Sequence, residues 1–461
     1  MKLILLSGGS GKRLWPLSND SRSKQFLKML PNENGAKESM IQRIWRQLQT
    51  SGLAASSYIT TGKSQVDIIQ SQLGNELPLL IEPERRDTFP AIALAAAYLH
   101  SVRDASLDEV VCVLPVDAYV EDSFFQAIKQ FEAVLADSNA SLALMGVRPS
   151  YPSAQYGYIV PVEKQRASSY VTVRRFVEKP NEETAAALMK QNALWNCGVF
   201  AFKLGYLLQL LHDKGIPAQY EALLQQYSRL PRRSFDYEVV EQTEHIAAIP
   251  YDGIWHDLGT WNTLTGKFNT NIIGKGTMSD DAINTHLINE LELPVIIAGI
   301  SNGIVVASHD GILVADKSAS SQIKELTGHL GQRPMYEEKR WGCYSVLDYS
   351  KLEDGNEVLT KRLKILAGKN LSYQMHLKRE EVWTIISGEG EFIIDGKFKH
   401  VKPGDVIHIP VGAKHGARAI SDLECIEVQM GSELVEEDIV RIHMKWEDIE
   451  HDFKDRGERE M

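Results

Sequence analysis

A glycine-rich segment near the start of the chain has residue types that bind phosphate groups. Its glycines and cations are Gly8, Gly9, Gly11, Lys12 and Arg13. Glycine lets backbone N–H groups approach phosphate oxygens closely, and arginine neutralises their charge through paired hydrogen bonds. A further cation, Lys24, follows in the sequence Ser-Lys-Gln-Phe. The segment therefore predicts a phosphate-binding loop, and the plain alternative is a flexible turn.

Two familiar phosphate-loop patterns do not fit this segment. A Walker loop needs glycine and then serine or threonine where the chain has Leu6 and Arg13. The dinucleotide fingerprint needs its third glycine where Leu14 stands. Trp15-Pro16 follows directly and disfavours an immediate long helix. The loop is thus a glycine turn with cations that belongs to neither class.

Two aspartates far apart in the sequence lie in segments that could form a site. Asp117 follows the branched residues of Val110–Val116, and Asp257 lies in the segment Trp255–Trp261. Ligands of open α/β sheets bind at the carboxyl ends of the strands. Asp117 is therefore a candidate site residue, and an aspartate that caps a turn would fit the same pattern.

Four residues in the C-terminal part of the chain have the spacing of metal ligands. Gln374 and His376 are two positions apart in a predicted strand, so their side chains share a face. Glu381 and His415 follow, and their spacing from nearby glycines resembles the two cupin motifs, with glutamine in place of the first histidine. This set suits Zn²⁺ or another divalent first-row ion.

The first half of the chain alternates strand-like and helix-like segments that would position the N-terminal candidates. Strands are predicted at Leu3–Leu6, Ser57–Thr61 and Val110–Val116, and helices at Ser39–Leu53, Thr88–Val102 and Asp122–Asp137. This order predicts an open, mostly parallel α/β sheet with helices on both faces.

The second half is β-patterned and rich in turns. Gly274–Lys317 predicts a compact β segment, and Ser318–Leu330 predicts a short helix. Glu337–Arg340 is expected to be a charged linker. Six or more short strands across Trp341–Gly431 predict a small sandwich or barrel. Any helix in the charged tail after Ile439 is expected to be peripheral.

Composition argues against several classes of protein. The 461 residues predict two or three domains, and a net charge of −11 without a dense basic block disfavours nucleic-acid binding. The apolar run at the N-terminus is too short for a signal peptide, and no stretch approaches about 18 apolar residues, so no membrane partner is expected. Four well-separated cysteines without a CxxC pair predict reduced thiols in the cytoplasm.

The N-terminal motifs resemble those of a known enzyme family. Gly8–Ser18 together with Lys24–Leu27 resembles the signature of type II mannose-1-phosphate guanylyltransferases, which usually have threonine at the Lys12 position. The resemblance implies that Arg13 and Lys24 are catalytic cations that bind the triphosphate of GTP beside the loop glycines. The Trp-Pro and Lys-Gln-Phe parts separate this group from enzymes that act on glucose or rhamnose precursors.

Three further motifs resemble the sugar side of the same family. They are Tyr156–Ile159, Phe176–Pro180 and Trp195–Phe200. The resemblance implies that Gly157, Glu178 and Asn196 bind the sugar hydroxyls. It also implies that Lys179 binds the sugar phosphate. Each motif alone would also fit a polar turn beside a packed aromatic residue.

The nucleotide base is expected near another motif. Glu82–Ile92 resembles the family's Glu-Pro-x-x-Arg-Asn-Thr-Ala-Pro-Ala-Ile, with Asp87 and Phe89 in place of Asn and Ala. The resemblance implies nucleotide binding by Glu82, Arg86 and Asp87. A carboxylate can accept hydrogen bonds from the guanine N1–H and N2–H₂ groups, so GTP is expected and another base stays open.

The expected chemistry needs no general base. The settings of Asp117 and Asp257 resemble those of two family aspartates, which implies that they hold one Mg²⁺. A sugar phosphate, with a second pKa near about 6, is already largely ionised at neutral pH. Its oxygen attacks the α-phosphorus and pyrophosphate leaves, so charge neutralisation and alignment suffice.

The segment Gln374–Trp383 resembles the phosphomannose isomerase motif of type II bifunctional enzymes. Lys378 replaces the second histidine of that motif, and the usual Tyr-Gly after Arg441 is missing. The resemblance implies a role for Arg379 in converting fructose 6-phosphate to mannose 6-phosphate, where a proton moves between C1 and C2. Two interpretations stay open, an active isomerase and a structural or sugar-sensing cupin.

Over nearly the whole chain, the resemblance implies three domains. They are a Rossmann-like, glycosyltransferase-A-like nucleotidyltransferase domain at residues 1–265, a small β domain at 266–335 and a cupin β-barrel at 336–445. The small domain would be a β-helix that mediates a homodimer. The alternatives are a nucleotidyltransferase for another sugar 1-phosphate or base, and a non-catalytic regulator that binds sugar nucleotides.

Overall fold

The computed structural model describes residues 1–9, 12–162, 169–331 and 333–454. The chain forms two compact units. The first contains Met1–Val66, Leu73–Asn271 and Asp316–Glu325, and the second contains Asp67–Gln72, Ile272–Ala315 and the chain from Leu326 onward. The three-domain division stays a prediction.

The first unit is built on one large mixed sheet. Its strands in the described residues are β1 Lys2–Leu6, β2 Leu30–Pro31, β3 Lys37–Glu38, β4 Ser57–Gly62, β5 Leu79–Glu82, β6 Val110–Pro115, β7 Ala118–Val120, β8 Leu142–Val147, β9 Tyr158–Pro161, β10 Val171–Val177, β11 Leu194–Lys203, β12 Ile246–Tyr251 and β13 Trp255–Asp257. Within the described part of the chain, nine of them form the order β5-β4-β1-β6-β11-β8-β12-β10-β9. The strands β2 and β3 pair with each other, as do β7 and β13.

In the described part of the large sheet most strands run in one direction, as predicted, but β10 and β11 run in the opposite direction. The strand β1 is parallel to both β4 and β6, and β8 is parallel to β12. However, β11 is antiparallel to β6 and β8, which it separates. An alternating order of strands and helices does not fix the direction in which a strand enters the sheet, so the sequence could not reveal this reversal.

The helices among the described residues are four to fourteen residues long. Their bounds are α1 Met40–Thr50, α2 Val66–Leu73, α3 Thr88–Ser101, α4 Ser123–Ile128, α5 Phe131–Ser138, α6 Glu182–Met189, α7 Leu204–Asp213, α8 Tyr220–Gln226, α9 Phe235–Glu238, α10 Trp261–Thr265, α11 Ile323–Leu326 and α12 Trp446–Lys454. The Ala-rich α3 is buried along most of its length and packs in one apolar core with β1, β6 and β11. The single helix predicted at Asp122–Asp137 is two helices, α4 and α5.

From Ile272 onward, the second unit contains short strands. They are β14 Ile272–Ile273, β15 Gly276–Met278, β16 His286–Asn289, β17 Val295–Ile297, β18 Gly303–Ser308 and β19 Gly311–Asp316. The chain alternates between two sheets, since β14, β16 and β18 pair in one and β15 and β17 pair in the other. Alternation between parallel sheets is the arrangement of a β-helix.

The rest of the second unit is a β domain of two sheets. Its strands are β20 Tyr336–Lys339, β21 Gly342–Lys351, β22 Glu357–Ile365, β23 Tyr373–Met375, β24 Arg379–Ser387, β25 Gly390–Ile394, β26 Lys397–Val401, β27 Val406–Ile409, β28 His415–Ala419, β29 Leu423–Gly431 and β30 Val440–His443. The sheets have the orders β20-β21-β22-β29-β24-β27 and β26-β25-β28-β23-β30. One apolar core contains residues of both sheets, such as Leu363 and Phe392.

Two expectations for this domain were wrong. The predicted linker Glu337–Arg340 overlaps β20, an edge strand whose Glu337 is buried and accepts a 2.6 Å hydrogen bond from the Tyr344 hydroxyl. The tail helix α12 is not peripheral, because Trp446 and Ile449 are buried in an apolar cluster with Tyr373. In both cases, residues that are distant in the sequence pack against a segment rich in charged residues and bury part of it.

No helix among the described residues is long and apolar enough to cross a membrane.

Candidate active site and metal centre

The glycine segment follows the end of β1 and lies over a buried carboxylate. A Cβ atom on Gly8 would come within 3.1 Å of Glu82 Oε1, so glycine permits this close approach. The carbonyl of Gly9 accepts hydrogen bonds from Ser23 Oγ at 2.6 Å and Gln65 Nε2 at 3.2 Å. Gly11 and the side chain of Lys12 lie outside the described residues. The described part of the loop is thus tied directly to the segment that carries Lys24.

The Lys24 side chain bridges the two predicted metal ligands. Its Nζ lies 2.9 Å from Asp117 Oδ2 and 2.9 Å from Asp257 Oδ1. Only 12% of the Lys24 side chain is exposed. Burial alone would lower the pKa of Lys24, but the charges and hydrogen bonds of the two carboxylates outweigh it and raise the pKa above its ordinary value. The two carboxylates therefore reach one common cation, which is a donor set that fits Mg²⁺.

A short β ribbon fixes the positions of these carboxylates. Asp117 lies between β6 and β7, and Asp257 ends β13. In the antiparallel pair of β7 and β13, Asp257 stands opposite Ala118, the residue that follows Asp117. Burial raises the pKa of Asp257, whereas the charge and hydrogen bond of Lys24 and the charge of Arg13 lower it. Together these effects leave the pKa of Asp257 below its ordinary value. The exposed Arg13 thus adds positive charge at this end of the sheet.

A first cleft, the glycine-loop cleft, contains several residues predicted to bind the nucleotide. Its lining includes Gly8, Gly9, Glu82, Arg86, Asp87, Thr88, Pro115 and Asp117. The Glu82 carboxylate accepts a 2.7 Å hydrogen bond from Tyr227, and burial raises the pKa of Glu82 in spite of that bond. This buried carboxyl group faces the loop, where a ligand donor could reach it.

The motif around Asp87 serves local structure as well as the cleft. Asp87 has φ +69° and caps α3, because its Oδ1 accepts a 2.7 Å hydrogen bond from the Thr88 backbone N–H. Arg86 donates to the Leu230 carbonyl at 2.6 Å and to Glu84. Phe89, one of the two departures from the family motif, is wholly buried in the core. Of the two departures, Asp87 lines the cleft.

A second cleft, the Glu178 cleft, contains the residues predicted to bind the sugar. Its lining includes Asp117, Tyr156, Gly157, Glu178, Lys179, Asn196, Asp236 and Asp257. Lys179 Nζ lies 2.6 Å from Glu178 Oε1, while Glu178 Oε2 is buried and has no hydrogen-bond partner in the structure. A Cβ on Gly157 would come within 2.5 Å of that oxygen. Glycine therefore leaves room for Glu178 and for a ligand hydroxyl that could donate to it.

Asn196 is occupied by protein groups in this structure. Its Nδ2 donates to Asp236 Oδ1 at 2.7 Å, and its Oδ1 accepts from the Gly198 backbone N–H at 3.1 Å. Burial and the Glu178 charge raise the pKa of Asp236 to about 7, despite the opposing effect of Lys179. Sequence reasoning missed Asp236, whose only local signal is an acid two residues after Ser234, the residue that caps α9.

The two clefts meet at Asp117. Asp117 and Pro115 line both of them, and Asp257 lines the Glu178 cleft. A ligand in the glycine-loop cleft and another in the Glu178 cleft would therefore meet beside the Lys24 ammonium. This arrangement can neutralise and align phosphate groups that react with each other.

The second unit brings three of its four predicted metal ligands together. One ligand atom each from His376, Glu381 and His415 lies within 4.8 Å of the others, and all three residues are buried. His376 Nε2 is 3.2 Å from Glu381 Oε1, and His415 Nε2 is 3.7 Å from Glu381 Oε2. His415 Nε2 is buried without a hydrogen-bond partner in the structure. An unsatisfied imidazole nitrogen that faces a carboxylate and another imidazole fits a divalent first-row ion.

Gln374 and Arg379 lie beside this cluster. The Gln374 Oε1 atom accepts from Ser372 Oγ at 2.6 Å, and its Nε2 faces His376 Nε2 at 3.4 Å, so the predicted amide oxygen is turned away from the cluster. Arg379 Nε donates to Glu381 Oε1 at 3.0 Å. Burial would raise the pKa of Glu381, but His415, His376 and Arg379 together lower it to about 2.

Hydrogen bonds from two further side chains fix the Glu381 carboxylate. Trp383 Nε1 donates to Oε2 at 3.1 Å, and Gln429 Nε2 donates to Oε1 at 3.2 Å. Sequence reasoning missed Gln429, which reaches Glu381 because the two residues are directly opposite in β29 and β24. Lys378 is half exposed and pairs with Glu433, so it takes no part in the cluster.

Two protein-family models match successive parts of the chain. The nucleotidyl transferase family model matches residues 2–271, and that of the mannose-6-phosphate isomerase C-terminal domain matches residues 332–444. The mannose-1-phosphate guanylyltransferase 2 of Escherichia coli O157:H7 is 31% identical, across 95% of this chain and 96% of its own length. The xanthan biosynthesis protein XanB of Xanthomonas campestris pv. campestris strain B100 is 31% identical, across 95% and 97%.

A solved structure supports the same relationship. The crystal structure of the mannose-1-phosphate geranyltransferase from Thermus thermophilus matches with a TM-score of 0.60 and 25% identity, across 72% of this chain and 99% of that one. Together these matches confirm the predicted family resemblance and the α/β nucleotidyltransferase fold joined to a C-terminal isomerase-type β domain.

Proposed function

The chain belongs to the nucleotidyl transferase family, among the mannose-1-phosphate guanylyltransferases with a mannose-6-phosphate isomerase C-terminal domain, and we propose that it converts GTP and mannose 1-phosphate to GDP-mannose and diphosphate. The observation that carries this proposal is the meeting of two clefts at Asp117, beside Lys24 and Asp257. A regulator that only binds sugar nucleotides would not need both carboxylates at that point.

The glycine-loop cleft would receive the nucleotide triphosphate. Backbone N–H groups of the loop and the cations Arg13 and Lys24 neutralise its charge. Glu82 and Asp87 supply carboxylate oxygens toward the base, which supports guanine because its N1–H and N2–H₂ groups are donors. Arg86 supports this wall through its bond to Leu230.

The Glu178 cleft would receive the sugar phosphate. The free oxygen of Glu178 accepts a sugar hydroxyl, and Asp236 offers a second carboxyl group in the same cleft. Lys179 orients the sugar phosphate toward Asp117, and its Glu178 partner keeps it charged. Burial lowers the pKa of Lys179, but the hydrogen bond and charge of Glu178 raise it above its ordinary value. Asn196 holds Asp236 and the Gly198 turn in place.

The transfer is a displacement at the α-phosphorus. A sugar phosphate oxygen forms a bond to that phosphorus, the bond to the pyrophosphate oxygen breaks, and no proton is moved by the protein. Mg²⁺ held by Asp117 and Asp257 would neutralise charge on the reacting phosphates. Arg13, Lys24 and Lys179 align the groups and balance their negative charge.

The test is formation of sugar nucleotide from mannose 1-phosphate, Mg²⁺ and each of GTP, ATP, CTP and UTP. GTP is expected to be the preferred donor, with glucose 1-phosphate as the matched acceptor control. Preference for another nucleotide would contradict guanine recognition and direct attention to Asp87. No product with any donor would overturn the transferase assignment.

We propose a second activity for the C-terminal domain, the conversion of fructose 6-phosphate to mannose 6-phosphate. It rests on the convergence of His376, Glu381 and His415. A divalent ion held there would polarise the carbonyl of the open-chain sugar. Arg379 keeps Glu381 ionised, and its Nη2 atom lies 3.4 Å from His376 Nε2. Isomerisation by the metal-loaded full chain tests this activity, and its absence would favour a structural or sugar-sensing domain.

We also propose a cytoplasmic homodimer. None of the four cysteines, all of which lie in the described part of the chain, forms a disulfide, which is consistent with a reducing compartment. On β17 and β19, the apolar side chains of Ile296, Ile312 and Val314 are each more than 60% exposed and are available to a second copy. Mass measurement in solution, with Ile312→Asp as the disrupting variant, tests the dimer, and a wild-type monomer would contradict it.

A further inference from the structure

The Lys24 ammonium lies in a position that is normally suited to a metal ion. It bridges Asp117 Oδ2 and Asp257 Oδ1, at 2.9 Å from each. Two carboxylates without a cation between them would repel each other strongly in this partly buried site. The protein therefore carries its own counter-ion for the pair, and a divalent ion that bound there would have to compete with it.

Lys24 also stands next to the loop that would bind the triphosphate. Ser23, the preceding residue, donates from its hydroxyl to the Gly9 carbonyl at 2.6 Å, and Gln65 donates to both at 2.7 and 3.2 Å. The turn that begins at Lys24 is anchored by the buried Phe26. The backbone of Lys24 is thus fixed between the loop and the carboxylates, while its flexible four-carbon stem can carry the ammonium toward either one.

We propose that Lys24 acts as an exchangeable counter-ion that keeps divalent metal ions off Asp117 and Asp257 until a nucleotide triphosphate arrives. The inference rests on the proposed function for the identity of the triphosphate. Phosphate oxygens in the glycine-loop cleft would attract the ammonium away from the carboxylates, which could then hold the divalent ion that accompanies the nucleotide. Metal and nucleotide then each increase the affinity of the protein for the other, because both favour the state in which Lys24 has left the carboxylates.

Mn²⁺ titration of the full chain without nucleotide tests this exchange, with free Mn²⁺ followed by its electron paramagnetic resonance signal. The carboxylate site is defined as the Mn²⁺ binding that Asp257→Asn removes, so that binding to the second unit cancels. Wild type is expected to show little binding at this site. Lys24→Met is expected to bind Mn²⁺ there at least about tenfold more tightly, since the competing charge is gone.

Two controls keep the outcome interpretable. Lys63→Met removes an exposed lysine from the same unit and should leave Mn²⁺ binding unchanged. Lys24→Gln retains a hydrogen-bond donor without the charge and replaces Lys24→Met if that variant does not fold. It should also bind Mn²⁺ more tightly than wild type.

Equal Mn²⁺ affinity at the carboxylate site in wild type, Lys24→Met and Lys24→Gln would overturn the inference. The titration contains neither GTP nor mannose 1-phosphate, so its result does not depend on turnover. Loss of the proposed function would appear as missing GDP-mannose synthesis with the Mn²⁺ result intact. Failure of the exchange would appear as active enzyme whose nucleotide-free wild type already binds Mn²⁺.

Discussion

The ionic clusters of the two units differ in how their charged and polar groups are satisfied. In the first unit, the carboxylates of Asp117 and Asp257 share the ammonium of Lys24. In the second unit, Arg379 balances the charge of Glu381, but the buried His415 Nε2 has no hydrogen-bond partner among the described residues. A lone pair on that nitrogen needs a hydrogen-bond donor or a metal ion, and no donor among the described residues reaches it.

This difference predicts that the metal ions proposed for the two units stay bound for different times. The first cluster is satisfied by the protein itself, so its Mg²⁺ is expected to arrive and leave with phosphate ligands. Mg²⁺ is usually bound by one or two carboxylates together with substrate phosphates. The second cluster has imidazole ligands that suit a first-row ion and a polar atom that only a ligand would satisfy. Its ion is expected to stay with the folded protein.

The largest effect is expected from Asp257→Asn. This change removes one of the two charged ligands, so GDP-mannose synthesis should fall about a thousandfold or more. Isomerisation of fructose 6-phosphate should be unchanged, because Asp257 belongs to the first unit. Steady-state kinetics of both reactions on the same preparation provide the check. Near-normal synthesis by a folded variant would contradict the metal assignment in the first unit.

Removal of metal should have the next largest effect, and it should fall on the second unit. Chelation of the full chain is expected to destabilise the unfolding transition of the C-terminal domain by about 2–4 kcal/mol, since a ligand bound only by the native state stabilises it. Calorimetry before and after addition of Zn²⁺ measures this change. His415→Ala should show no such response. A response as large as wild type in that variant would exclude the proposed centre.

A smaller effect is expected from Asp236→Asn in the Glu178 cleft. The substitution keeps the shape of the side chain but removes a carboxyl acceptor, so KM for mannose 1-phosphate should rise about tenfold. KM for GTP should not change. Glu183→Gln, an exposed position in α6, serves as the matched control. An equal rise in both KM values would indicate a structural role for Asp236 and not a contact with the sugar.

The smallest effect is expected from Lys378→Ala. The side chain is exposed and pairs with Glu433, away from the histidines. If the second unit is an isomerase, kcat/KM should change by less than about twofold, as for most surface substitutions. A loss of more than tenfold in the isomerase assay would mean that Lys378 replaces its family histidine in function.

The sequence identified the ionic residues of both clusters because each stands in a compact motif. Asp117 follows a predicted strand, Asp257 lies in the short motif Trp255–Trp261, and His376 and Glu381 share one short segment. Asp236 and Gln429 escaped notice because each is an isolated polar residue that tertiary packing brings to its partner. The residues near each of these positions in the sequence do not indicate which distant side chain it contacts.

The positions of several strands and helices were also predictable from the sequence. Strands such as β1 and β6 and the helix α3 matched their expected positions within one or two residues, because buried runs and capping residues mark them. The antiparallel direction of β11 and the edge strand β20 were not predictable. Direction and edge pairing depend on contacts between segments far apart in the sequence.

Pyrophosphate release from GTP and mannose 1-phosphate, measured after all metal has been stripped from the full chain, tests the proposed site of the first unit. Zn²⁺, Mg²⁺ or both are then returned in parallel reactions. Full GTP-dependent release is expected with Mg²⁺ alone, with no further increase when Zn²⁺ is added. No release with Mg²⁺ alone, or release that requires Zn²⁺, would contradict a guanylyltransferase site built from Lys24, Asp117 and Asp257.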